Sequence, residues 1–300
     1  MSSCLCRCDA VIASAREAGA VAAAFAPCLP VDDKNIALYD AWLARGAHAG
    51  MEYMERYREL RNDPRLLLYG ARSILCCAFP YAQTPGRRSP LFSDYAVGDD
   101  YHETLRKRLA PVAALMEKAV DGAKTRICID TTPLRERYWA ARAGIGFIGL
   151  NNQLIVPGIG SKVFLAEILW TEEADYGTPL PDLCSHCGAC VRACPGRALD
   201  GEGGIDCSRC LSYLTIEHRG DLPDSIHLPG RIYGCDICQD VCPFNHDPAI
   251  CLPEFAVRDT VLALDRETIS EMTQPDFSAT FTHSAVKRAK LAGLQRNARH

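Results

Sequence analysis

Cysteines at short, regular intervals between residues 184 and 243 have the spacing of metal ligands. The first run reads Cys184-x2-Cys187-x2-Cys190-x3-Cys194-Pro195, and the last reads Cys235-x2-Cys238-x3-Cys242-Pro243. Three thiolates at x2 spacing lie on one tight loop and can hold three corners of a [4Fe–4S] cluster. The fourth cysteine, which precedes a proline, ligates the other cluster of a pair. The spacing therefore predicts two [4Fe–4S] clusters that transfer electrons one at a time.

The second run is one ligand short, and the segment between the two runs must supply it. Cys210 is the expected ligand, and Cys207 is the alternative. The first cluster is then held by Cys184, Cys187, Cys190 and Cys242, and the second by Cys194, Cys210, Cys235 and Cys238. Paired C-x2-C elements also occur in zinc ribbons and disulfide frameworks. Zinc, however, does not require the C-x2-C-x2-C-x3-C-P run, so two iron–sulfur clusters are the preferred interpretation.

Length and composition limit the class of protein. The chain has 300 residues, 17 cysteines and a formal net charge of −4. Cysteines beyond the eight cluster ligands, without a recognisable signal peptide, predict a reducing, cytoplasmic location. No apolar run approaches the ~20 residues of a membrane span, and the charge gives no global basic footprint for nucleic acid. Cys4, Cys6 and Cys8 are expected on a mobile tail with exposed thiols, with a third metal site as the alternative.

Helical and strand patterns alternate before the cysteine runs, which is typical of an α/β domain. Helices are expected at 9–20 behind an Asp9 N-cap, 33–45, 51–60, 101–120 with a kink or an interruption at Pro111, and 134–143. Strands are expected at 21–25, 73–79, 126–130, 154–156 and 163–170. The second helix should bury Ile36, Leu38, Tyr39, Trp42 and Leu43, and Cys76 and Cys77 should be small core residues.

The chain is thus predicted to have three parts. Residues 1–175 form the α/β domain, residues 176–252 a bacterial-ferredoxin-like double-cluster domain, and residues 253–300 a short helical C-terminal segment. The cluster segment accounts for only a small part of the chain. The electrons that the clusters carry should therefore be used in a reaction in the α/β domain.

Three strings of residues resemble the epoxyqueuosine reductase family, which uses cobalamin and iron–sulfur clusters in the last step of queuosine synthesis in tRNA. They are Asp130-Thr131-Thr132-Pro133 with Arg142-Ala143-Gly144-Ile145-Gly146-Phe147-Ile148-Gly149, then Cys210-Leu211-Ser212-Tyr213-Leu214-Thr215, and Tyr233-Gly234-Cys235-Asp236-Ile237-Cys238-Gln239-Asp240-Val241-Cys242-Pro243. The resemblance extends from Trp42 to Asn297. Many members continue into C-terminal helical repeats that help to hold tRNA, so this sequence is similar to a short form of the family.

The resemblance implies a cobalamin held in the α/β domain close to the second cluster. The family's proton donor falls on Asp130, which also contacts the cofactor. The other implied cobalamin contacts are Arg61, Ser93 before the Asp100-Tyr101-His102 motif, Asn151, Leu154, Leu165 and Ser212.

Reduction of an epoxide to an alkene and water takes two electrons and two protons, so electrons delivered singly need a two-electron mediator such as low-valent cobalt. Asp130 would protonate the departing oxygen, and burial beside an apolar corrin face is expected to raise its pKa. The alternative is that Asp130 only caps the next helix. His102 is expected to be structural, and His186 to tune a cluster through hydrogen bonds.

The partners implied are a tRNA carrying epoxyqueuosine and an unidentified low-potential electron donor, and the chain is expected to act as a monomer. Basic residues should contact RNA phosphates. The candidates are Arg135, Arg137, Arg142, Lys287, Arg288, Lys290, Arg296 and Arg299. Two other functions remain open at this stage: another corrinoid reductase, similar to reductive dehalogenases, and an electron-transfer protein without a substrate of its own.

Overall fold

The computed structural model describes residues 2–222, 226 and 228–300, with the backbone alone for residues 2–7. Its helices are α1 (Ser2–Glu17), α2 (Asp33–Ala44), α3 (Tyr53–Arg56), α4 (Arg58–Asn62), α5 (Tyr101–Ala119), α6 (Glu136–Arg142), α7 (Ala189–Ala193), α8 (Leu211–Ile216), α9 (Ile237–Asp240), α10 (Asp259–Leu262), α11 (Arg266–Glu271), α12 (Gln274–Thr280) and α13 (Lys290–Arg299). Its strands are β1 (Ala22–Pro27), β2 (Ser73–Pro80), β3 (Thr125–Cys128), β4 (Phe147–Ile148), β5 (Leu154–Ile155) and β6 (Val163–Trp170).

A four-stranded sheet in the order β1-β2-β6-β3 supports the first half of the chain, and its neighbouring strands are antiparallel. Every residue of β2 is buried, as expected for a short apolar run in the centre of a sheet. The cysteines Cys76 and Cys77 are fully buried, which confirms that they are core residues. Strands β4 and β5 form a separate small hairpin.

The two faces of the sheet are covered by different elements. On one face, α1 and α5 enclose side chains that include Leu75, Leu105 and Ile168. On the other, α6 covers Ile74, Cys76 and Leu169. Because side chains alternate along a strand, Leu165 and Glu167 of β6 lie on the α6 face. Several residues that pack against this core, including Leu165, are only half-buried.

A third core joins the C-terminal segment to the rest of the chain. Helices α10–α13 contribute Val261, Phe277 and Leu294, which pack with Phe92 from the first half of the chain and Tyr233 from the cysteine-rich segment. Asn297 is fully buried and donates to the carbonyl oxygens of Thr215 and Ile232. The three-part division of the chain remains a prediction.

Several local predictions were wrong for physical reasons. Helix α1 begins at Ser2, so Asp9 lies inside it and does not cap it, and Cys8 is buried in the core instead of lying on an exposed tail. The side chains of Cys4 and Cys6 lie outside the described residues. Leu38 is 60% exposed. Helix α5 continues through Pro111, which lies on its exposed face. Among the described residues, no helix is long and apolar enough to cross a membrane.

Candidate functional site

The first predicted cluster site is a single cavity. Four of its lining residues are the cysteines assigned to the first cluster: Cys184, Cys187, Cys190 and Cys242. Leu150, Ile155 and Phe244 close its apolar side. Burial, opposed by backbone N–H groups and followed by the charges of Cys242 and Cys184, raises the pKa of Cys190. Four thiols around one cavity fit the donor set that a [4Fe–4S] cluster requires.

The second group of thiols lies deeper in the protein. Burial is the largest cause that raises the pKa of Cys238, and the charges of Cys235, Cys210 and Cys194 follow it. Backbone N–H groups of Ser212 and Tyr213 point at the sulfur of Cys210, and the N–H of Ala198 lies 3.3 Å from the sulfur of Cys194. Such hydrogen bonds to ligand sulfurs tune cluster potentials. Within the described part of the chain, no three potential ligand side chains converge on a single metal ion.

Cys207 lies beside the second group but is oriented by different contacts. It begins a turn of 3-10 helix, its backbone N–H donates to the carbonyl oxygen of Ala47 at 2.8 Å, and its side chain is buried. Burial, with a further contribution from Cys210, raises its pKa to about 12. The choice between Cys210 and Cys207 as ligand remains a prediction. Nε2 of His186 lies 2.8 Å from Oδ2 of Asp182, so the ring contacts a carboxylate, and its predicted role in tuning a cluster remains a prediction.

Asp130 lies two residues beyond the end of β3, where its side chain is 54% exposed. Its Oδ2 accepts a hydrogen bond from the hydroxyl of Tyr101 at 2.9 Å and lies 3.0 Å from Nε2 of His102. The other ring nitrogen of His102 lies 2.9 Å from Oδ1 of Asp100. The carboxylate is thus positioned by two donors from the start of α5 and still faces solvent. His102, expected to be structural at the start of a helix, also contacts Asp130 through Nε2.

The ionisation of this group differs from the prediction. Partial burial would raise the pKa of Asp130, but hydrogen bonds from His102 and Tyr101 and the charge of His102 outweigh it and lower the pKa below its usual value. Burial likewise opposes the charge on His102. Its contacts with Asp100 and Asp130 outweigh that effect and raise the pKa of His102 to about 9. At neutral pH, Asp130 is therefore a carboxylate beside an imidazolium.

Tyr53 connects Asp130 to residues that are distant in sequence. Burial and then the charge of Glu217 raise the pKa of Tyr53 to about 12, Asp130 adds to this rise, and Arg288 and Arg61 oppose it. The guanidinium of Arg288 makes two 2.9 Å hydrogen bonds to Glu217 and lies 6.0 Å from the centre of the Tyr53 ring. These side chains therefore lie close enough to Asp130 for their charges to influence one another, and sequence spacing alone gave no signal that Tyr53 is among them.

Some residues predicted to contact cobalamin lie where a large ligand could reach them. Arg61 has a buried Nε without a hydrogen-bond partner among the described residues, a donor that an amide or phosphate oxygen of cobalamin could satisfy. Leu165 and Ser212 are half-buried. These features fit an amphipathic cofactor with a polar periphery.

The remaining predicted contacts are buried. Leu154 is part of the α6-side core. Asn151 donates to the carbonyl oxygen of Cys238 at 3.3 Å, which ties the α/β part of the chain to the second group of thiols. Ser93 is 2% exposed and its hydroxyl donates to Asp236, so its direct partner here is a carboxylate next to Cys235. The cobalamin contacts therefore remain predictions.

The basic residues predicted to face RNA fall into two groups, which differ in whether the side chain holds the fold together or is exposed. Arg135 donates to Asn35 and Asn62 and stacks 4.3 Å from the ring of Tyr39, and Arg296 donates to carbonyl oxygens that include Leu214 at 2.8 Å. Both therefore hold the fold together. The other predicted residues, Arg137, Arg142, Lys287, Arg288, Lys290 and Arg299, are exposed.

Comparison with known proteins identifies the family. Residues 61–131 match the model described as epoxyqueuosine reductase QueG, DUF1730, and residues 183–245 match the 4Fe-4S double cluster binding domain. Epoxyqueuosine reductase from Gloeobacter violaceus is 38% identical over 269 residues, which cover 86% of this chain and 84% of the relative. The chain belongs to the epoxyqueuosine reductase family. The resemblance inferred from its motifs is confirmed.

Solved epoxyqueuosine reductases share the fold of nearly all of this chain. One, bound to an epoxyqueuosine-modified stem loop of tyrosine tRNA, has a TM-score of 0.89 and 30% identity and covers 97% of this chain, which in turn covers 79% of it. Another, from Bacillus subtilis, is described with its aspartate catalytic loop swung out of the active site (TM-score 0.88, 29% identity, 97% of this chain and 79% of that one). Membership of this family makes the chain an oxidoreductase that uses two [4Fe–4S] clusters and cobalamin.

Proposed function

We propose that this chain reduces the epoxide of epoxyqueuosine in tRNA to queuosine, with Asp130 delivering a proton to the departing oxygen. One observation carries the assignment to Asp130: its carboxylate is half exposed and is held by both Tyr101 and His102. A residue that only capped a helix would not need two donors from another helix.

The proton supply involves His102 as well as Asp130. An ionised Asp130 cannot donate a proton, whereas the imidazolium of His102 has a pKa raised to about 9 and stays charged at neutral pH. Transfer from His102 Nε2 across 3.0 Å to Asp130 produces the neutral acid when the substrate oxygen needs it. Asp100, on the far ring nitrogen, stabilises the charged imidazole before transfer and fixes its orientation. In this proposal, His102 and Asp130 together supply the proton that the sequence analysis expected from an Asp130 with a raised pKa.

Cobalamin, when bound, supplies the cobalt centre that converts single electrons into the two-electron reduction of carbon. Arg61, Asn151, Leu154, Leu165 and Ser212 are the residues that would hold it. Arg61 would donate its unpartnered Nε to the cofactor periphery, and Leu165 would pack against an apolar face. Asn151 would place this pocket against the second cluster through its contact with Cys238. Ser93 would influence the cobalamin site indirectly, because its hydroxyl donates a hydrogen bond to Asp236.

Electrons would enter at the first cluster and leave from the second. Cys187 is exposed, whereas Cys210, Cys235 and Cys238 are less accessible and lie toward the α/β part of the chain. A low-potential donor protein would therefore dock on the Cys187 side. Thiolate ligands also suit a reducing, cytoplasmic compartment. The whole site is built from residues of one chain, which is compatible with a monomer.

The RNA would approach over Tyr53 and Arg288. Arg288 lies on the C-terminal segment, and its charge lowers the pKa of Asp130, which supports its position beside the site. Its exposed neighbours Lys287 and Lys290 would extend this local basic patch to phosphates. A solved relative carries a modified tRNA stem loop, and we propose that this chain takes the same kind of substrate.

The test uses anaerobically purified protein with both clusters and cobalamin, a low-potential reductant, and an RNA stem loop that carries epoxyqueuosine. Wild-type protein should form queuosine, and Asp130→Asn should lower kcat by about 100-fold or more, the usual contribution of a general acid. Asp121→Asn, at an exposed aspartate that follows α5, is the matched control and should retain full activity. Undiminished reduction by Asp130→Asn would remove the acid role, and absence of queuosine with wild-type protein would refute the function.

A further inference from the structure

The loop that carries Asp130 has a hydrogen bond to a second carboxyl group. Glu136, the first residue of α6, accepts the backbone N–H of Asp130 on its Oε1 at 2.6 Å. The bond joins the two ends of the short connection between β3 and α6. It acts on the main chain of the proposed acid, whereas Tyr101 and His102 hold its side chain.

Asp130 needs such support because its backbone conformation is unfavourable. Its φ is +45°, in the left-handed region that non-glycine residues seldom adopt. Residues in this region persist when surrounding contacts hold them there, and they are frequent at functional sites. The hydrogen bond from Glu136 is such a contact.

We propose that Glu136 is a positioning residue that holds the Asp130 loop in the active site, a role that rests on the proposed function. Loss of the acceptor would let the backbone of Asp130 relax from its left-handed conformation. The carboxylate would then leave Tyr101 and His102, and it would no longer receive a proton to pass to the substrate oxygen. The binding of substrate would change much less than the chemical step.

The environment of Glu136 suits an acceptor placed close to a carboxylate. Several charged or titratable groups face it from the elements around it: Asp130, Tyr101, His102, Arg137, Glu167, Cys76 and Cys128. Burial, followed by the charge of Asp130, raises the pKa of Glu136 to about 8. Glu136 is therefore mostly protonated at neutral pH and can accept the N–H without placing a second full negative charge beside Asp130. Glutamine offers the same acceptor without a charge.

The experiment compares Glu136→Gln, Glu136→Ala and Glu136→Asp in protein loaded with clusters and cobalamin. Hydrogen–deuterium exchange of peptides spanning residues 129–134 reports the loop directly, and kcat and KM report the reaction. Glu136→Ala should exchange about tenfold faster in this loop, as expected for loss of one strong hydrogen bond, with kcat lowered at least about tenfold and KM within about twofold. Glu136→Gln should stay close to wild type in both measurements. Glu267→Ala, in the first turn of α11, is the matched helix-start control.

The outcomes separate this inference from the proposed function. Wild-type exchange and wild-type kcat in Glu136→Ala would overturn the positioning role even if the wild-type protein reduces the epoxide. Absence of epoxide reduction by wild-type protein would refute the function, while the exchange data would still report whether Glu136 holds the loop. If Glu136→Ala does not fold, Glu136→Asp decides, because its carboxyl is one methylene too short to reach. Slow loop exchange in that variant would contradict the proposal.

Discussion

The imidazole of His102 lies between two carboxylates, 2.9 Å from Oδ1 of Asp100 and 3.0 Å from Oδ2 of Asp130. Two negative partners favour the charged ring, and they outweigh the cost of its partial burial. This arrangement places a transferable proton one hydrogen bond from the proposed acid. In the proposed mechanism, the reaction therefore depends on His102, which the sequence indicated only as part of a helix start.

The first prediction concerns the pH dependence of the reaction. The pKa of His102 is raised to about 9, so kcat should stay level through neutral pH and fall as pH rises through about 9. His102→Gln should lower kcat by about tenfold to 100-fold and remove this alkaline limb, because glutamine cannot supply the proton. Turnover measured under saturating substrate from pH 6 to pH 10 tests this. An unchanged alkaline limb in His102→Gln would assign it to another group.

The same pair predicts how stability depends on pH. The folded protein raises the pKa of His102, so the contribution of this residue to the free energy of unfolding is complete below about pH 6.5 and is lost as pH rises through about 9. Urea midpoints of wild type and His102→Gln should therefore differ at pH 6.5 and converge by pH 10. A constant difference between the two proteins across this range would contradict the prediction.

The iron content of two cysteine variants will show whether Cys210 or Cys207 is the fourth ligand of the second cluster. Fully reconstituted wild type should bind about eight irons, the content of two four-iron clusters. Cys210→Ala should bind about four, because the second cluster loses a ligand, whereas Cys207→Ala should still bind about eight. Iron analysis with low-temperature electron paramagnetic resonance of the reduced protein gives both readouts. The opposite pattern would make Cys207 the ligand.

RNA binding should depend on salt and on Arg288. Replacing Arg288 by Gln removes one cationic contact, so affinity for the stem loop should fall and the slope of log K against log salt should become shallower by about one. Arg16→Ala, at an exposed position of α1, is the control that should leave both quantities unchanged. Affinity that does not depend on salt would exclude the basic patch as the RNA-binding surface.

A buried carboxyl group in the sheet should cost stability. Glu167 is fully buried, and neither of its side-chain oxygens has a hydrogen-bond partner within the described residues. Burial, with the charge of Glu136, raises its pKa well above the usual value. Glu167→Met should therefore raise the free energy of unfolding by about 1–3 kcal/mol at pH 7. The gain should be smaller at pH 4.5, where the unfolded glutamate is itself half protonated. A destabilised variant at pH 7 would indicate that Glu167 has a partner in the loaded protein.

The local sequence predicted the two central strands well, because their own apolar side chains require them to be buried. The strand expected at 163–170 has these bounds, and the one at 73–79 is only one residue longer in the structure, because each is a short apolar run that crosses the sheet. The strand expected at 126–130 ends at Cys128 in the structure, so Asp130 lies two residues beyond it and not at its last position. The exposed Leu38 and the buried Cys8 were predicted wrongly, since neighbours from other parts of the chain decide which face of a helix is covered.

The sequence by itself determined the chemistry that this protein can carry. Spacings of two or three residues place thiolates on one loop, and a proline after the fourth cysteine redirects the chain, so the two iron–sulfur clusters and the family could be recognised without coordinates. Only the tertiary structure decided the charge of Asp130 and its support by Glu136, His102 and Tyr101. A pKa depends on distances between charges and on burial, and His102 lies 28 residues away from Asp130 in the chain but 3.0 Å away in space.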